Sequence, residues 1–596
     1  AECSGVLYPG SHAALEAGLA HERIVPYSVT TVFLKDSRLM LMRARSEGNT
    51  GIIFAPDFVL EERLKLDVSG RGICRIGSDT ECALHLRKEL RALRRHGSTI
   101  EAELAPAGST DYRVRIDAPG AEVLEWRGSP ALRAEGELTI FIQISPDGAP
   151  LAAPPSASET IDQQTQRWKD FWARSRVKLP AHESVWQERY QASLFYVAQS
   201  IGDGPTHPVG LSKPMYPHWF GCFHDTDTYF CRPLLESGRP ELPFKHLSFR
   251  HGRLEQAKRI AKTTASDGAQ FPWQCDLNGN GENRHSIMNS AIIAREAYFH
   301  AAMAGTEQTR RIAGAIVEES FRYLLRFTRD TGSGVELVDE PIETFSETMV
   351  VPKPTEALLA IRAVAHSLLE IAPDSALAPR AQRALRDLQP TKLTDGSIAT
   401  AAGSEPEYMR CPSVTLGAFP LHVLFERAPL EPTFERELER VVFAFAWLPH
   451  QLSATAAQLG RREGAASAAG VLRLADHFYR DWHAIDEWEN RRTGRAETFV
   501  TGAGGFATAI HHLLLAETSN GVWELFPATP ESWKDVSFDG LVTRTGWRIS
   551  ATLAGGRLVH VSAERAHDRA ATPLTLRCVF DGPARPAGGG SWQVHE

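Results

Sequence analysis

Three stretches hold most of the residues whose types and spacing could do chemistry. The first, Trp219-Phe220-Gly221-Cys222-Phe223-His224-Asp225-Thr226-Asp227, sets two carboxylates among aromatic rings. Such a surface suits a sugar, whose C–H faces stack on rings and whose hydroxyls bond to charged oxygens. A helix cap beside core aromatics is the competing use of the same Asp-Thr-Asp run. Phe271-Pro272-Trp273 extends the aromatic lining. The second stretch packs Glu336, Asp339, Glu340, Glu343 and Glu347 into twelve residues without a Lys or Arg. In a dry cleft, mutual repulsion and desolvation would raise at least one of these pKa values, as a general acid requires. A solvated acidic loop is the plain alternative. The third stretch, Trp482-His483-Ala484-Ile485-Asp486-Glu487-Trp488-Glu489-Asn490, leads through Glu497 to Thr501-Gly502-Ala503-Gly504-Gly505-Phe506. A Gly-rich turn opening a helix can bind an anion through its free N–H groups. More often it only starts a helix tightly.

Taken together, the three fit glycosidic-bond cleavage. One carboxylic acid protonates the leaving oxygen, and a second carboxylate activates water or attacks directly.

The elements that position these stretches follow from composition and periodicity. The chain has 596 residues, enough for several domains. With 43% hydrophobic and 23% charged residues and a mean hydropathy of -0.25, it reads as globular rather than disordered. A net charge of -8 without a long basic run argues against nucleic acid as partner. No apolar run is long enough for a membrane span. Eight cysteines show no CxxC spacing, so neither zinc nor a disulfide framework is expected. Cys74 with Cys82, or Cys222 with Cys231, would be close enough to pair in an oxidising compartment; buried free thiols are equally consistent. The chain begins at Ala1 rather than Met, as after cleavage of a leader or trimming of the chain, so a periplasmic or extracellular protein is the expectation and a cytoplasmic one the alternative.

Residues 1–150 read as a β-sandwich: Leu138, Ile140, Ile142 and Ile144 alternate, and Tyr27 to Leu34 is rich in β-branched and aromatic residues. A Pro/Ala/Ser-rich linker then leads into a helix with Trp168, Phe171 and Trp172 on one stripe, giving a linker region over 151–187. Residues 188–520 carry helical periodicity, with Val317, Phe321, Leu324, Leu325 and Thr328 on one face and Leu358, Ile361, Ala365 and Leu368 on another. At about 25–30 residues per helix and loop, this region holds on the order of twelve helices, the count of an (α/α)6 toroid, with an α-solenoid equally compatible with the periodicity. The long intervals 202–243, 264–286, 330–355, 396–413 and 483–505 are where function is expected. Residues 521–596 return to β, with Trp547, Ile549, Ala551 and Leu553 alternating before a Gly555-Gly556 turn.

With these residues in hand, the chain resembles glycoside hydrolase family 65 and its inverting (α/α)6 relatives. Phe223-His224-Asp225-Thr226-Asp227 is similar to the family's sugar-binding aromatic-Asp-Thr-Glu stretch, and Phe271-Pro272-Trp273 to its Phe-Pro-Trp. Asp339-Glu340 is similar to its general-acid motif. Glu487-Trp488, ahead of Thr501-Gly502-Ala503-Gly504-Gly505-Phe506, is similar to its general-base region. The segment Arg410-Cys411-Pro412-Ser413 falls where the family reads sugar hydroxyls. The resemblance implies a multidomain fold in which an (α/α)6 toroid is flanked by an N-terminal β-sandwich and a small C-terminal β domain.

It also implies an exo-acting hydrolase of α-glycosidic bonds, α-glucosidase-like and inverting, with no metal and no cofactor. Glu340 is then the general acid and Glu487 the general base, with Glu343, Glu347, Glu489 and Glu497 as alternatives. Trp219, Phe220, His224, Asp225, Asp227, Trp273, Arg410 and Trp488 surround the sugar. The tail containing Glu524-Leu525-Phe526-Pro527 also resembles inverting α-fucosidase/galactosidase-like enzymes of family 95. Two other readings remain open: a glycoside phosphorylase, with Arg491, Arg492 and Arg495 near the Gly-rich turn as anion holders, and a non-catalytic carbohydrate-binding protein.

Overall fold

The computed structural model describes residues 27–34, 39–46, 51–54, 61–66, 82–106, 112–126, 129–146, 156–201, 223–224, 227–275, 279–281, 287–332, 334–344, 350–401, 405–442, 446–474, 478, 485, 499–568, 574–580 and 590–594. Contacts divide the chain into two units, 1–173 and 174–596.

Among the described residues, the first unit consists of strands and one helix, α1 (Ala157–Ala173). The strands form a seven-stranded and a three-stranded sheet. Tyr27–Leu34 is a strand, as its β-branched run predicts. Strand Glu137–Pro146 is paired on both sides. Leu138 and Ile140 are buried as their alternation predicts, but Phe141 and Gln143 are buried as well, so this is a central strand covered on both faces. Leu132 of the small sheet shares one apolar core with Ile100, Ile116 and Ile140 of the large one. On α1, Phe171 meets Trp168 and Trp172 edge-on, with ring centroids 5.0 and 4.9 Å apart.

The second unit is built around helices α2 (Ser184–Ser200), α3 (Asp227–Glu236), α4 (Glu241–Gly252), α5 (Leu254–Thr263), α6 (Ile287–Ala304), α7 (Glu307–Leu324), α8 (Thr355–Ile371), α9 (Ala378–Asp387), α10 (Arg427–Arg440), α11 (Trp447–Gln458), α12 (Ala468–Arg473) and α13 (Val500–Leu514). α3, α6, α8, a single 3-10 turn at Thr415–Gly417, α11 and α13 each touch the next, and α13 touches α3, which closes an inner ring. The remaining helices lie outside: α2 on α13, α4 and α7 on α6, α5 against α4 and α7, α9 on α8, α10 on the 3-10 turn and α12 on α11.

Burial separates the two layers. Almost every residue of α6, α8, α11 and α13 is buried, as expected for helices covered all round. The outer α7 instead buries one stripe that includes Val317, Phe321 and Leu324. The face predicted on α8, Leu358, Ile361, Ala365 and Leu368, is buried, and so is the opposite face. The interval 202–243, read as a loop, contains the inner helix α3.

At the fourth inner position the chain is irregular rather than helical. Buried irregular backbone needs donors for its carbonyls, and two buried arginines supply them. Arg295 of α6 donates to the Leu421 and His422 carbonyls at 2.7 and 3.0 Å. Arg232 of α3 donates to the Pro420 carbonyl at 3.4 Å, and also to His422 Nε2 at 2.8 Å and to Glu296 Oε1 at 2.5 Å.

After α13 the chain returns to strands. In Trp547–Ala554 the four alternating apolar residues are buried, and Gly555 and Gly556, both at positive φ, turn it into Arg557–Arg565. Cys231, Cys275, Cys411 and Cys578 are buried free thiols. No helix among the described residues is long and apolar enough to cross a membrane.

Candidate active site at the mouth of the helical ring

The ring has two unlike ends. Inner helices pass to outer ones through short links, 237–240 and 305–306 among them. Five of the six returns from outer to inner elements are long, 201–226, 264–286, 325–354, 388–414 and 474–499; the sixth, 441–446 between α10 and α11, is short. Every stretch singled out for its chemistry lies in one of these returns or at the start of the inner helix it feeds. The described parts of these returns, with the first turns of the inner helices, share the end of the ring where the inner N-termini open.

The first return and the second are joined directly. Phe223 pairs with Cys275 and His224 with Gln274 as a two-strand antiparallel ribbon. This pairing sets the His224 backbone beside Trp273, which is half-buried. Phe271 is buried, and its N–H donates to Ser290 Oγ on α6 at 3.0 Å. Asp227 is the first residue of α3, so the Asp-Thr-Asp run does open a helix. Trp219, Phe220 and Asp225 lie outside the described residues, as do the side chains of His224 and Asp227.

The acidic stretch differs from its expected bare state. It folds as two short hairpins, and the strand opposite supplies cations. Arg329 faces Glu336 in the register and bonds it at 3.3 Å. Asp339 pairs with Lys353 at 2.8 Å and with Arg329 at 2.9 Å. The Lys353 hydrogen bond and the Arg329 charge hold the Asp339 carboxyl below its usual range. Glu340 follows as an exposed residue, next to the Pro341–Pro352 pair and so close to the start of α8. Glu343 is half-buried and pairs with Val350 at the far end of the hairpin. Glu347 lies outside the described residues.

The third stretch is represented by its anchors. Buried Ile485 pairs with Phe478, and its carbonyl accepts the Phe499 N–H at 2.8 Å, just before α13. Glu487 is two residues further on. Like Trp488, Glu489, Glu497, Arg491, Arg492 and Arg495, it lies outside the described residues. The glycines of Thr501-Gly502-Ala503-Gly504-Gly505 sit inside the first turns of α13 and are buried. A Cβ on Gly504 would stand 1.8 Å from the Tyr229 carbonyl oxygen of α3, and one on Gly505 would stand 2.6 Å from His450 Nδ1 of α11. These glycines let three inner helices approach closely, the packing use of the motif.

Several residues at this end gave no signal in the sequence reading. Trp447 begins α11 and lies 6.1 Å, centroid to centroid, from Tyr229 of α3, adding a half-buried indole to the mouth. Glu356, the second residue of α8, is fully buried and accepts Ser413 Oγ at 3.1 Å. Glu437 of α10 is also fully buried and bonds the same segment. An acid in the first turn of a helix, ahead of the apolar run Ala357–Ile361, as at Glu356, is the trace that would have flagged it. Among the described residues, no cluster of His, Cys, Asp and Glu is arranged to hold a metal ion.

Deeper in the ring lies a second polar cluster. Glu236 ends α3 and accepts His511 Nδ1 at 2.9 Å and His512 Nε2 at 3.1 Å. Tyr190 O–H donates to His511 Nε2 at 2.9 Å. Burial alone would raise the Glu236 pKa, but the two histidines outweigh it and hold it at about 2. Burial pushes His300 and His366 down to about 3 and lowers His422 and His511 as well.

These four histidines are neutral in the fold, whereas the unfolded chain protonates them below pH 6.5. Stability present above that pH is therefore lost as pH falls, by up to about 1.4 kcal/mol per pH unit for each histidine. Chemical denaturation should give a midpoint flat from pH 8 to 7 that drops steeply between about pH 6.5 and 5, before most carboxylates titrate. A midpoint unchanged down to pH 5 would mean that the histidines are charged in the fold.

Comparison with known proteins agrees with this geometry. Residues 210–337 match the glycosyl hydrolase family 65 central catalytic domain. A kojibiose hydrolase from Mucilaginibacter mallensis is 23% identical over 492 residues, covering 77% of this chain and 67% of its own length. A trehalose 6-phosphate phosphorylase from Lactococcus lactis subsp. lactis (strain IL1403) is 24% identical over 197 residues, 31% of this chain and 24% of its own. The solved structure of a human-microbiome protein described as a kojibiose phosphorylase superposes with a TM-score of 0.68 at 14% identity, over 93% of this chain and 81% of that one. That last likeness speaks to fold alone. The chain is thus similar to glycoside hydrolase family 65 enzymes, over residues 210–337 by the family model and over most of its length by its relatives and fold.

Proposed function

We propose that the protein is an exo-acting hydrolase of α-linked glucosides that inverts the anomeric centre, with short α-glucosyl disaccharides such as kojibiose as the first substrates to test. The observation that supports this reading is the direct pairing of Phe223–His224 with Gln274–Cys275, beside Trp273, at the end of the ring where the inner helices begin, with Asp339–Glu340 ahead of α8 at the same end. In this reading Asp225, Asp227, Trp219, Phe220, His224, Trp273, Trp488 and Arg410 hold the terminal glucose. Glu340 protonates the glycosidic oxygen as the C1–O bond breaks. Glu487 takes a proton from a water attacking C1 from the opposite face. The carboxyl groups of an inverting pair stand about 6.5–9.5 Å apart to leave room for that water. The sandwich, linker helix, toroid and C-terminal β domain, in that order, complete the proposed architecture.

Phosphorolysis is the second reading. Two of the similar proteins are described as phosphorylases, and the Thr501 hydroxyl in the first turn of α13 is buried without a partner among the described residues. An N-terminal turn with a spare hydroxyl suits an anion. Incubation of α-linked glucose disaccharides with and without phosphate separates the two. Glucose released in phosphate-free buffer supports hydrolysis; glucose 1-phosphate formed only with phosphate supports the alternative. Inertness towards α-glucosides in both buffers would overturn the reading.

A further inference from the structure

The segment carrying Arg410 is moored at both ends to one outer helix. Ahead of it, Met409 N–H donates to the Arg440 carbonyl at 2.9 Å, and Val442 N–H donates to the Met409 carbonyl at 2.9 Å. Behind it, Glu437 of the same helix accepts four hydrogen bonds. Its Oε1 takes the N–H of Ser413 at 3.0 Å and of Val414 at 2.7 Å. Its Oε2 takes the N–H of Thr415 at 3.0 Å and the Thr415 hydroxyl at 2.5 Å. Upstream, Glu405 bonds the Thr400 N–H at 2.6 Å and Arg440 Nη1 at 3.1 Å. From the inner side Glu356 accepts Ser413 Oγ, so two fully buried carboxylates grip the segment from opposite layers.

The strength of this grip exceeds what capping a single 3-10 turn requires. One acceptor satisfies the open N–H groups at a turn's start, and Ser, Thr, Asn or Asp usually supplies it locally. Here the cap comes from another helix, and a buried carboxylate accepting four donors fixes the backbone in position as well as in conformation. Only Arg410, Cys411 and Pro412 lie between the two moorings. The Arg410 backbone is therefore set by α10, in the return that feeds the fourth inner element at the mouth end of the ring.

We propose that Glu437 is a positioning residue for sugar recognition: by clamping Ser413–Thr415 it fixes the Arg410 guanidinium against the hydroxyls of the bound glucose. The proposal rests on the reading of this mouth as an α-glucoside site. A guanidinium reads hydroxyls through a planar fork of donors, so its value depends on placement. A misplacement of about 1 Å costs up to about 100-fold in such a site.

The test compares wild type with Glu437→Gln, Thr415→Val and Arg410→Ala in three measurements. These are kcat and KM on an aryl α-glucoside, the same on its 4-deoxy and galacto analogues, and hydrogen exchange at residues 413–415. Glu437→Gln keeps the shape but turns an amide NH2 towards backbone donors. It should raise KM about tenfold or more, lower the preference for glucoside over the analogues towards that of Arg410→Ala, and expose the three amides to exchange. Thr415→Val removes one bond only and should move all three in the same direction by a few fold; it carries the test if Glu437→Gln does not fold. Unchanged preference in a folded Glu437→Gln or in Thr415→Val, against a changed one in Arg410→Ala, overturns the proposal. So does unaltered amide protection. A wild-type enzyme inert towards α-glucosides sinks the functional reading instead, and the amide exchange still decides the clamp.

Discussion

Glu487→Gln should lower kcat on an α-glucoside by about 10²–10⁴-fold while leaving KM within a few fold, because a general base acts in the transition state and contributes little to ground-state binding. In the proposed role, the substitution removes the group that accepts the water's proton but keeps its size. Water then attacks unassisted, and the glucosyl centre waits for a better nucleophile. Azide needs no deprotonation, so it should restore turnover and give a β-glucosyl azide, the product of attack from the face opposite the leaving group. Near-normal turnover in Glu487→Gln would remove this residue from the role. The same substitution at Glu489 and Glu497 then identifies the base by which variant azide rescues.

The second large effect concerns the proton donor. Glu340→Gln should lose about 10²–10⁴-fold on a disaccharide, whose leaving sugar needs protonation. On a dinitrophenyl α-glucoside, whose leaving group departs as an anion, the loss should shrink to a few fold. Glu340 is exposed beside the Arg329–Asp339–Lys353 ion pairs, near the start of α8. A proton donor working near neutral pH needs a raised pKa, which burial under a bound substrate would supply. Glu343→Gln and Glu347→Gln belong in the same experiment. If the leaving-group pattern appears in Glu347→Gln and not in Glu340→Gln, the acid belongs to the residues joining the two hairpin strands.

Much of the fold was legible because local pattern and tertiary role coincide. Trp547–Ala554 alternates in sequence and in burial alike, and Val317, Phe321 and Leu324 mark the buried stripe of an outer helix. The inner layer was harder to read. α8 is buried on both faces, so a one-sided stripe understates it. α3 was hidden inside a loop because it is short and contains Pro233. The fourth inner element is a single 3-10 turn followed by irregular chain, held by Arg295 and Arg232. The polar contacts inside the ring join residues far apart in sequence: Arg232 reaches Glu296 across 64 positions and His422 across 190. No local periodicity records such pairs.

The candidate site was legible as residue types, because indoles, closely spaced carboxylates and a Gly-rich helix start are visible one stretch at a time. Their company was not. The cations that neutralise Asp339 come from the facing strand and from the approach to α8. The packing duty of Gly504 and Gly505 depends on α3 and α11 lying against α13. Glu356 and Glu437, which grip the Arg410 segment, come from two different layers.

The central claim is that α-glucosides are cleaved at this mouth with a single displacement by water. Proton NMR of the first product formed from kojibiose or an aryl α-glucoside in phosphate-free buffer tests it most directly. The account predicts β-glucose first, with the α anomer appearing only by mutarotation. α-Glucose as the first product would contradict it.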